Sequence, residues 1–304
     1  MINAMRLAIL VLLFGSTSAC AAGRDSSSCE SFASRLSAAE GGDTLVLAGD
    51  CDEITITERF DRRVTVDASN AVVRGLRIIG GANVSWVGGV VIAPGGMDGP
   101  SNTGYAIHLR GAENVRISDV VITDANRGMV MDDTRNVVLS GNRFWRLRTD
   151  GLISRNSVNV QVKGNQFSET VPVPTSCTMP DGSVLRGLAK RNCEGVWRDG
   201  THSDAIQFYD GATNWKITGN TIRGDTQGIV NFGGKAPARD IEIIDNDVAV
   251  TTGHTISVVK CLGKCLVAGN KVSRGDPGRK AAIYEGTAFR CGNRVSDQAY
   301  DGDC

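Results

Sequence analysis

Aromatic residues make up only 5% of this 304-residue chain, and its charges cancel, with 33 Lys plus Arg against 33 Asp plus Glu. The zero balance gives nucleic acid or an anionic membrane nothing to be drawn to. The shortage of rings weighs against a purely sugar-binding module, because carbohydrate recognition leans on stacking; Trp145, Trp197, Tyr209 and Phe232 are the rings on offer. The N-terminal apolar run LAILVLLFG (7–15) falls well short of the roughly 20 residues that span a bilayer. No second closely spaced Cys or His pair matches CLGKC (261–265), which makes zinc the weaker reading of those cysteines. Glycine is plentiful, at 37 residues, and suits many short strands joined by tight turns. A hydrophobic share of 41% is enough for a sizeable core.

Residues 1–22 read as a secretory signal, with Arg6 as the positive end and Ala19-Cys20-Ala21 as the cleavage site. The chain is therefore expected to be secreted or periplasmic. Lipid anchoring at Cys20 is the alternative, but Thr17 stands where a lipobox prefers an aliphatic residue. Eight cysteines remain without Cys20, an even number that in an exported chain points to disulfides. Their separations suggest Cys29–Cys51 and Cys177–Cys193, while Cys261, Cys265, Cys291 and Cys304 allow three connectivities.

One short phrase recurs along the chain: NVVLSGNRF (136–144), NVQVKGNQF (159–167), NWKITGNTI (214–222), DIEIIDNDV (240–248), KCLVAGNKV (264–272) and a decayed FRCGNRV (289–295). Such periods signal units that cannot bury their own cores and must stack. The first slot of the phrase holds Asn83, Asn114, Asn136, Asn159, Asn214, Asp240 and Lys264, with gaps of 31, 22, 23, 55, 26 and 24 residues. The gap of 55 is one coil of about 23 plus an insertion, at 169–200, of about 32. The closing column is Asn142, Asn165, Asn220, Asn246, Asn270 and Asn293. Asn tolerates the left-handed backbone of a sharp bend, and its stacked side chains can bond one to the next. A second strand recurs as YAIHL, RGMVM, DGLIS, DAIQF, QGIVN, HTISV and AAIYE, beginning at residues 105, 127, 150, 204, 227, 254 and 281.

This pattern resembles the right-handed parallel β-helix of the pectate-lyase-like (pectin lyase fold) superfamily. The resemblance implies an all-β fold, a single-stranded right-handed parallel solenoid. The expected organisation is a signal at 1–22, a lead and capping helix at 23–43, the β-helix at 44–295 and a tail at 296–304. The helix is read from Phe32 and Leu36 at helical spacing, ending at Gly41-Gly42, and it would cover an open strand edge.

In the second strand Ile107, Met129, Leu152, Ile206, Ile229, Ile256 and Ile283 are expected to point inward. The small residues before them (Ala106, Gly128, Gly151, Ala205, Gly228, Thr255, Ala282) are read as a groove floor. One position earlier stand Tyr105, Arg127, Asp150, Asp204, Gln227, His254 and Ala281, expected to face out at a corner. The superfamily resemblance places catalytic carboxylates at this corner and a groove along this strand, walled by the variable loops.

The polar residues are densest around DGTHSDAIQFYDG (199–211). The resemblance and this cluster together point to a polysaccharide lyase or epimerase acting on an acidic, uronate-containing polymer. His202 or Tyr209 is the candidate base, and Arg148 or Arg127 the group that neutralises the uronate carboxylate. Asp150, Asp204 and Asp225 are candidates to hold a Ca²⁺ ion or to orient His202. Gln207, Gln227, His254, Arg127 and Arg198 are candidate substrate contacts, and Arg186, Lys190 and Arg191 of the insertion could also grip an acidic chain. His108 is read as structural, and the protein is expected to be a monomer. No lyase motif matches, neither an Arg-rich signature nor Asp-Pro-His. The first alternative is a polygalacturonase-like hydrolase: TDGL (149–152), SDAI (203–206) and GHTIS (253–257) resemble parts of that family's motifs. Arg148 and Gln227 depart from its pattern, and no Arg-x-Lys follows. The second alternative is a β-helix that only binds glycans.

Overall fold

A computed structural model of the chain describes residues 29–99, 103–168, 176–178, 184–186, 203–224, 226–251, 254–273, 282–284, 286–296, 298–299 and 301–304. The signal segment, His202, Arg198, Asp225 and the Cys177–Cys193 pairing lie outside these residues.

The chain winds into a parallel β-solenoid of about nine turns. Each turn gives one strand to a narrow nine-stranded sheet: Ile54–Ile56, Leu76–Ile79, Tyr105–Arg110, Arg127–Asp132, Leu152–Arg155, Asp204–Tyr209, Gln227–Asn231, Ile256–Val258 and Ile283–Tyr284. Every pairing in it is parallel. The first two strands precede the seven recurring segments; Asn83 already marks the coil of the second, and the first extends the coil count beyond what the asparagines mark. The rest of each turn forms a wide twenty-stranded sheet that wraps the other sides.

The register explains the sequence columns. Leu76, Ile107, Met129, Leu152, Ile206, Ile229, Ile256 and Ile283 stand opposite one another and are fully buried. Across the core, Phe144 stacks on Phe167 at 4.3 Å between centroids, and Phe208 on Trp215 at 5.2 Å. Stacking alike side chains coil upon coil removes apolar surface from water at every rung, the main favourable term in folding.

The two asparagine columns divide the work differently from the sequence expectation. At the closing turn the left-handed conformation belongs to the preceding residue, such as Gly141 (φ 67°), Gly164 (62°), Gly219 (63°) and Asp245 (54°). That frees the asparagine side chain to point inward. Asn142, Asn165, Asn220, Asn246, Asn270 and Asn293 form a buried ladder in which each Nδ2 donates to the next Oδ1 at 2.9–3.0 Å. The same Oδ1 also accepts the backbone N–H of the preceding rung. Asp301 ends the ladder, accepting from the Asn293 N–H and Nδ2 at 2.6 and 2.9 Å. In the first column the asparagines take the left-handed conformation themselves (Asn83 59°, Asn136 56°, Asn214 54°). Their side chains form an exposed ladder over Asn114, Asn136, Asn159 and Asn214.

Both ends are closed. The helix Cys29–Ser37 buries Phe32 and Leu36 against the first coil and is tied by Cys29–Cys51. At the other end Gln298–Ala299 turns back antiparallel on Arg294–Val295, and Cys291–Cys304 fastens the tail. Cys261 pairs with Cys265, which settles the connectivity of the last four cysteines and uses both thiols of the CLGKC segment. Among the described residues no helix is long and apolar enough to cross a membrane.

Candidate functional site

The narrow sheet turns one face to the core and the other outward. Two residues per strand project outward, because residues i and i+2 share a face. In the early coils these are His108 and Arg110, then Val130 and Asp132, then Ile153 and Arg155, then Gln207 and Tyr209, all in lateral register. Charged groups therefore stand side by side as Arg110, Asp132 and Arg155, about one strand spacing apart, roughly 4.8 Å.

They line an open groove of about 560 Å³ with Tyr105, His108, Asp133, Asn156 and Asp210. His108 Nε2 lies 3.1 Å from Asp132 Oδ2, and Arg155 Nε donates to Asp132 Oδ1 at 2.7 Å. Burial alone would raise the Asp132 carboxyl, but the hydrogen bonds from His108 and Arg155, with the Arg155 charge, bring it down to about 2. Asp132 is thus an anion at neutral pH and accepts the Nε2–H proton. In a neutral imidazole this leaves the lone pair on Nδ1. The hydrogen bond to Asp132 holds Arg155 above the usual guanidinium range. Tyr209, the next residue in that row, has its phenol pushed up by burial and stays protonated.

Behind the groove lies the corner column. The Tyr105 ring meets His108 edge-on at 5.7 Å. Arg127 donates through Nη1 to the Tyr105 hydroxyl at 3.3 Å and through Nε to Asp150 Oδ2 at 2.9 Å. Burial, the largest single effect, would lower the Arg127 guanidinium, but Asp150 and Tyr105, through charge and hydrogen bonds together, hold it above its usual range. Asp150 Oδ1 accepts the Asp204 N–H at 3.2 Å. Further along, Gln227 Oε1 accepts the His254 N–H at 3.1 Å. The corner side chains thus bond each coil to its neighbour.

Several sequence candidates land elsewhere than expected. Asp150, Asp204 and Gln227 are buried, at 4%, 1% and 3% exposure, so the corner column is no open row of carboxylates. Arg148 is paired with Asp98 at 2.7 Å in the loop before the Tyr105 strand. Gln207 and Tyr209 are half-buried on the outward face, as is His254 beside the Tyr284 ring. The small-residue column is not a groove floor. A Cβ on Gly128 would meet Phe144 and Leu147, and one on Gly151 would meet Phe167 at 2.7 Å. Those residues are small because the aromatic core rises against them. Asp150 has its oxygens taken by Arg127 and the Asp204 amide, which does not suit a Ca²⁺ ligand. Among the described residues no group of three His, Cys, Asp or Glu could hold a metal.

His108, Asp132, Arg155 and Tyr105 were not among the candidates from sequence. The outward period carries the signal: two residues beyond His108 the same face presents Arg110, and its lateral neighbours are Asp132 and Arg155.

A solenoid of this kind with a polar groove on one sheet defines the chain as a right-handed β-helix protein. It belongs to the family described as "Right handed beta helix region", whose model matches residues 75–248, more than half of the chain. No curated protein matches it in sequence. Among solved structures it is similar to an alginate lyase from Paenibacillus sp. str. FPU-7, with a TM-score of 0.53 and 14% identity over 91% of this chain and 96% of that one. It is more distantly similar to DFA-IIIase from Arthrobacter chlorophenolicus A6 in complex with DFA-III (TM-score 0.41, 12% identity, 82% of this chain, 59% of that one). A similar distance separates it from the Dettilon tailspike protein (TM-score 0.40, 16% identity, 89% and 63%). At such identities these likenesses concern the fold alone.

Proposed function

We propose that the protein is an exported polysaccharide lyase, or an epimerase sharing its first step, acting on a uronate-containing polymer in the groove of the narrow sheet. The observation that carries this reading is the His108–Asp132–Arg155 cluster, a histidine oriented by an ionised carboxylate beside a guanidinium in an open groove. β-Elimination from a uronate needs a base at the C5 proton and a positive charge at the carboxylate, so that the developing enolate is stabilised. His108 Nδ1 is the base in this reading. Arg155 and Arg110 stand on either side of Asp132 to receive the carboxylate. The proton leaves C5, the C4–O4 bond breaks, a C4=C5 double bond forms, and a proton is delivered to O4.

This departs from the sequence assignment of His202 and Asp204, and the groove is preferred because its groups are open and mutually bonded. The hydrolase alternative draws less support: it needs two free carboxyl groups flanking one bond, and Asp150 is committed to Arg127. Three disulfides among the described residues favour an oxidising, extracytoplasmic setting. The test is incubation with alginate, pectate and glycosaminoglycans while ultraviolet absorbance is followed. A conjugated product supports the lyase, and new reducing ends without that absorbance favour hydrolysis.

A further inference from the structure

The elimination leaves one role unfilled, the donor of the proton to the departing O4. We propose that Tyr105 is that donor, its hydroxyl aimed into the groove by Arg127, and that Asp150 is the residue that positions Arg127. The inference rests on the lyase reading of the groove and adds a residue to it.

The direction of one hydrogen bond carries the proposal. A guanidinium has only N–H donors and no acceptor. Arg127 Nη1 donates to the Tyr105 oxygen at 3.3 Å, so the phenol proton cannot be spent on Arg127 and is left to point elsewhere. Tyr105 lines the groove, and its ring lies edge-on to His108, the proposed base. Base and acid thus stand on one strand, three residues apart, facing the same cavity. Arg127 could swing away from the phenol were it free. Its Nε is held at 2.9 Å by Asp150, whose side chain is only 6% exposed, and whose other oxygen is fixed by the Asp204 N–H. The buried carboxylate that looked catalytic in sequence therefore acts through Arg127.

The step balances. His108 Nδ1 takes the C5 proton, the electron pair forms C4=C5, the C4–O4 bond breaks, and O4 takes the Tyr105 proton. The phenolate formed beside the Arg127 charge is then reprotonated, and the His108 imidazolium gives up the C5 proton, both through solvent water, which returns the pair to its starting state.

The test uses two substrates, a polyuronate and a uronic acid glycoside carrying a nitrophenyl ether at O4, whose leaving group needs no proton. Tyr105→Phe should lower kcat on the polymer by about 100-fold or more, the usual worth of a general acid, with KM nearly unchanged. On the nitrophenyl ether it should work almost as well as the wild type. Asp150→Asn should lose part of the same factor on the polymer and regain it on the ether. Circular dichroism melts report whether each variant is folded. Equal losses of Tyr105→Phe on both substrates, or no loss on either, overturn the proposal while leaving the lyase reading intact. A wild-type protein inactive on both substrates removes the lyase reading, and this proposal with it.

Discussion

Asn220→Ala is the substitution from which the buried ladder predicts most. The Asn220 side chain makes four hydrogen bonds. Its Nδ2 donates to Val162 O at 2.9 Å and to Asn246 Oδ1 at 2.9 Å, and its Oδ1 accepts Asn165 N–H at 2.9 Å and Asn165 Nδ2 at 3.0 Å. Truncation to alanine orphans the Asn165 N–H inside the core, while Asn165 Nδ2 keeps the Leu139 and Lys163 carbonyls. Leaving a buried donor unmade costs about 1–3 kcal/mol, and each lost bond with a surviving alternative about 1 kcal/mol. The sum is about 4–6 kcal/mol. The control is Asn214→Gly on the exposed ladder, where φ is 54° and glycine meets no strain. There the single solvated amide bond is worth roughly 0.5 kcal/mol. Urea unfolding followed by circular dichroism gives both midpoints. If Asn220→Ala costs no more than Asn214→Gly, the inner ladder does not hold the coils together as described.

Other perturbations follow from the same geometry. Gly151→Ala places a Cβ 2.5 Å from Ala205 O and against Phe167, so it should destabilise the fold by about 1–3 kcal/mol in thermal melts; an unchanged melting temperature would restore the reading of that column as an open floor. Asp132 has its folded-state pKa depressed from 3.8 to about 2, so the folded chain binds fewer protons than the unfolded chain in that interval. The stability it contributes, about 2 kcal/mol at most, is therefore full above about pH 4 and lost as the pH falls towards 2. Asp132→Asn should flatten the acid limb of a pH-stability curve, and an unaltered limb would contradict the ion-pair account. Cys304→Ser frees the tail that supplies Asp301 to the ladder's last rung, and should raise hydrogen exchange in 266–295 while coils before Asn165 stay protected. Exchange unchanged in that segment would mean the tail holds without its disulfide.

The fold was legible because a solenoid writes its geometry into sequence at three places per coil. The inward Ile or Leu, the turn asparagine and the ladder asparagine must each recur, since each touches its own copy one coil away. The first coil escaped the count because no asparagine phrase follows Ile54–Ile56, and the strand Leu76–Ile79 was passed over although Asn83 marks its coil. The groove was harder to see. The strand segments RGMVM and DGLIS stop one residue short of Asp132 and Arg155, where the outward face resumes. His108 looked isolated because its partner sits in the next coil, 24 residues on. The corner carboxylates misled for a physical reason. A polar residue at a bend can face inward when the neighbouring coil supplies its partners, as Arg127 and the Asp204 N–H do for Asp150. The left-handed turn residues were also ambiguous, because Asn and Gly both tolerate that conformation and only the backbone tells which one adopts it.

The central claim is that the His108 groove abstracts a proton from a uronate. The most direct measurement compares wild-type protein with His108→Ala on a panel of polyuronates, following the ultraviolet absorbance of the unsaturated product. The account predicts product from the wild type on at least one polymer, and its loss in the variant at an unchanged melting temperature. Product formed equally well by His108→Ala, or none from the wild type on any polyuronate, would contradict it.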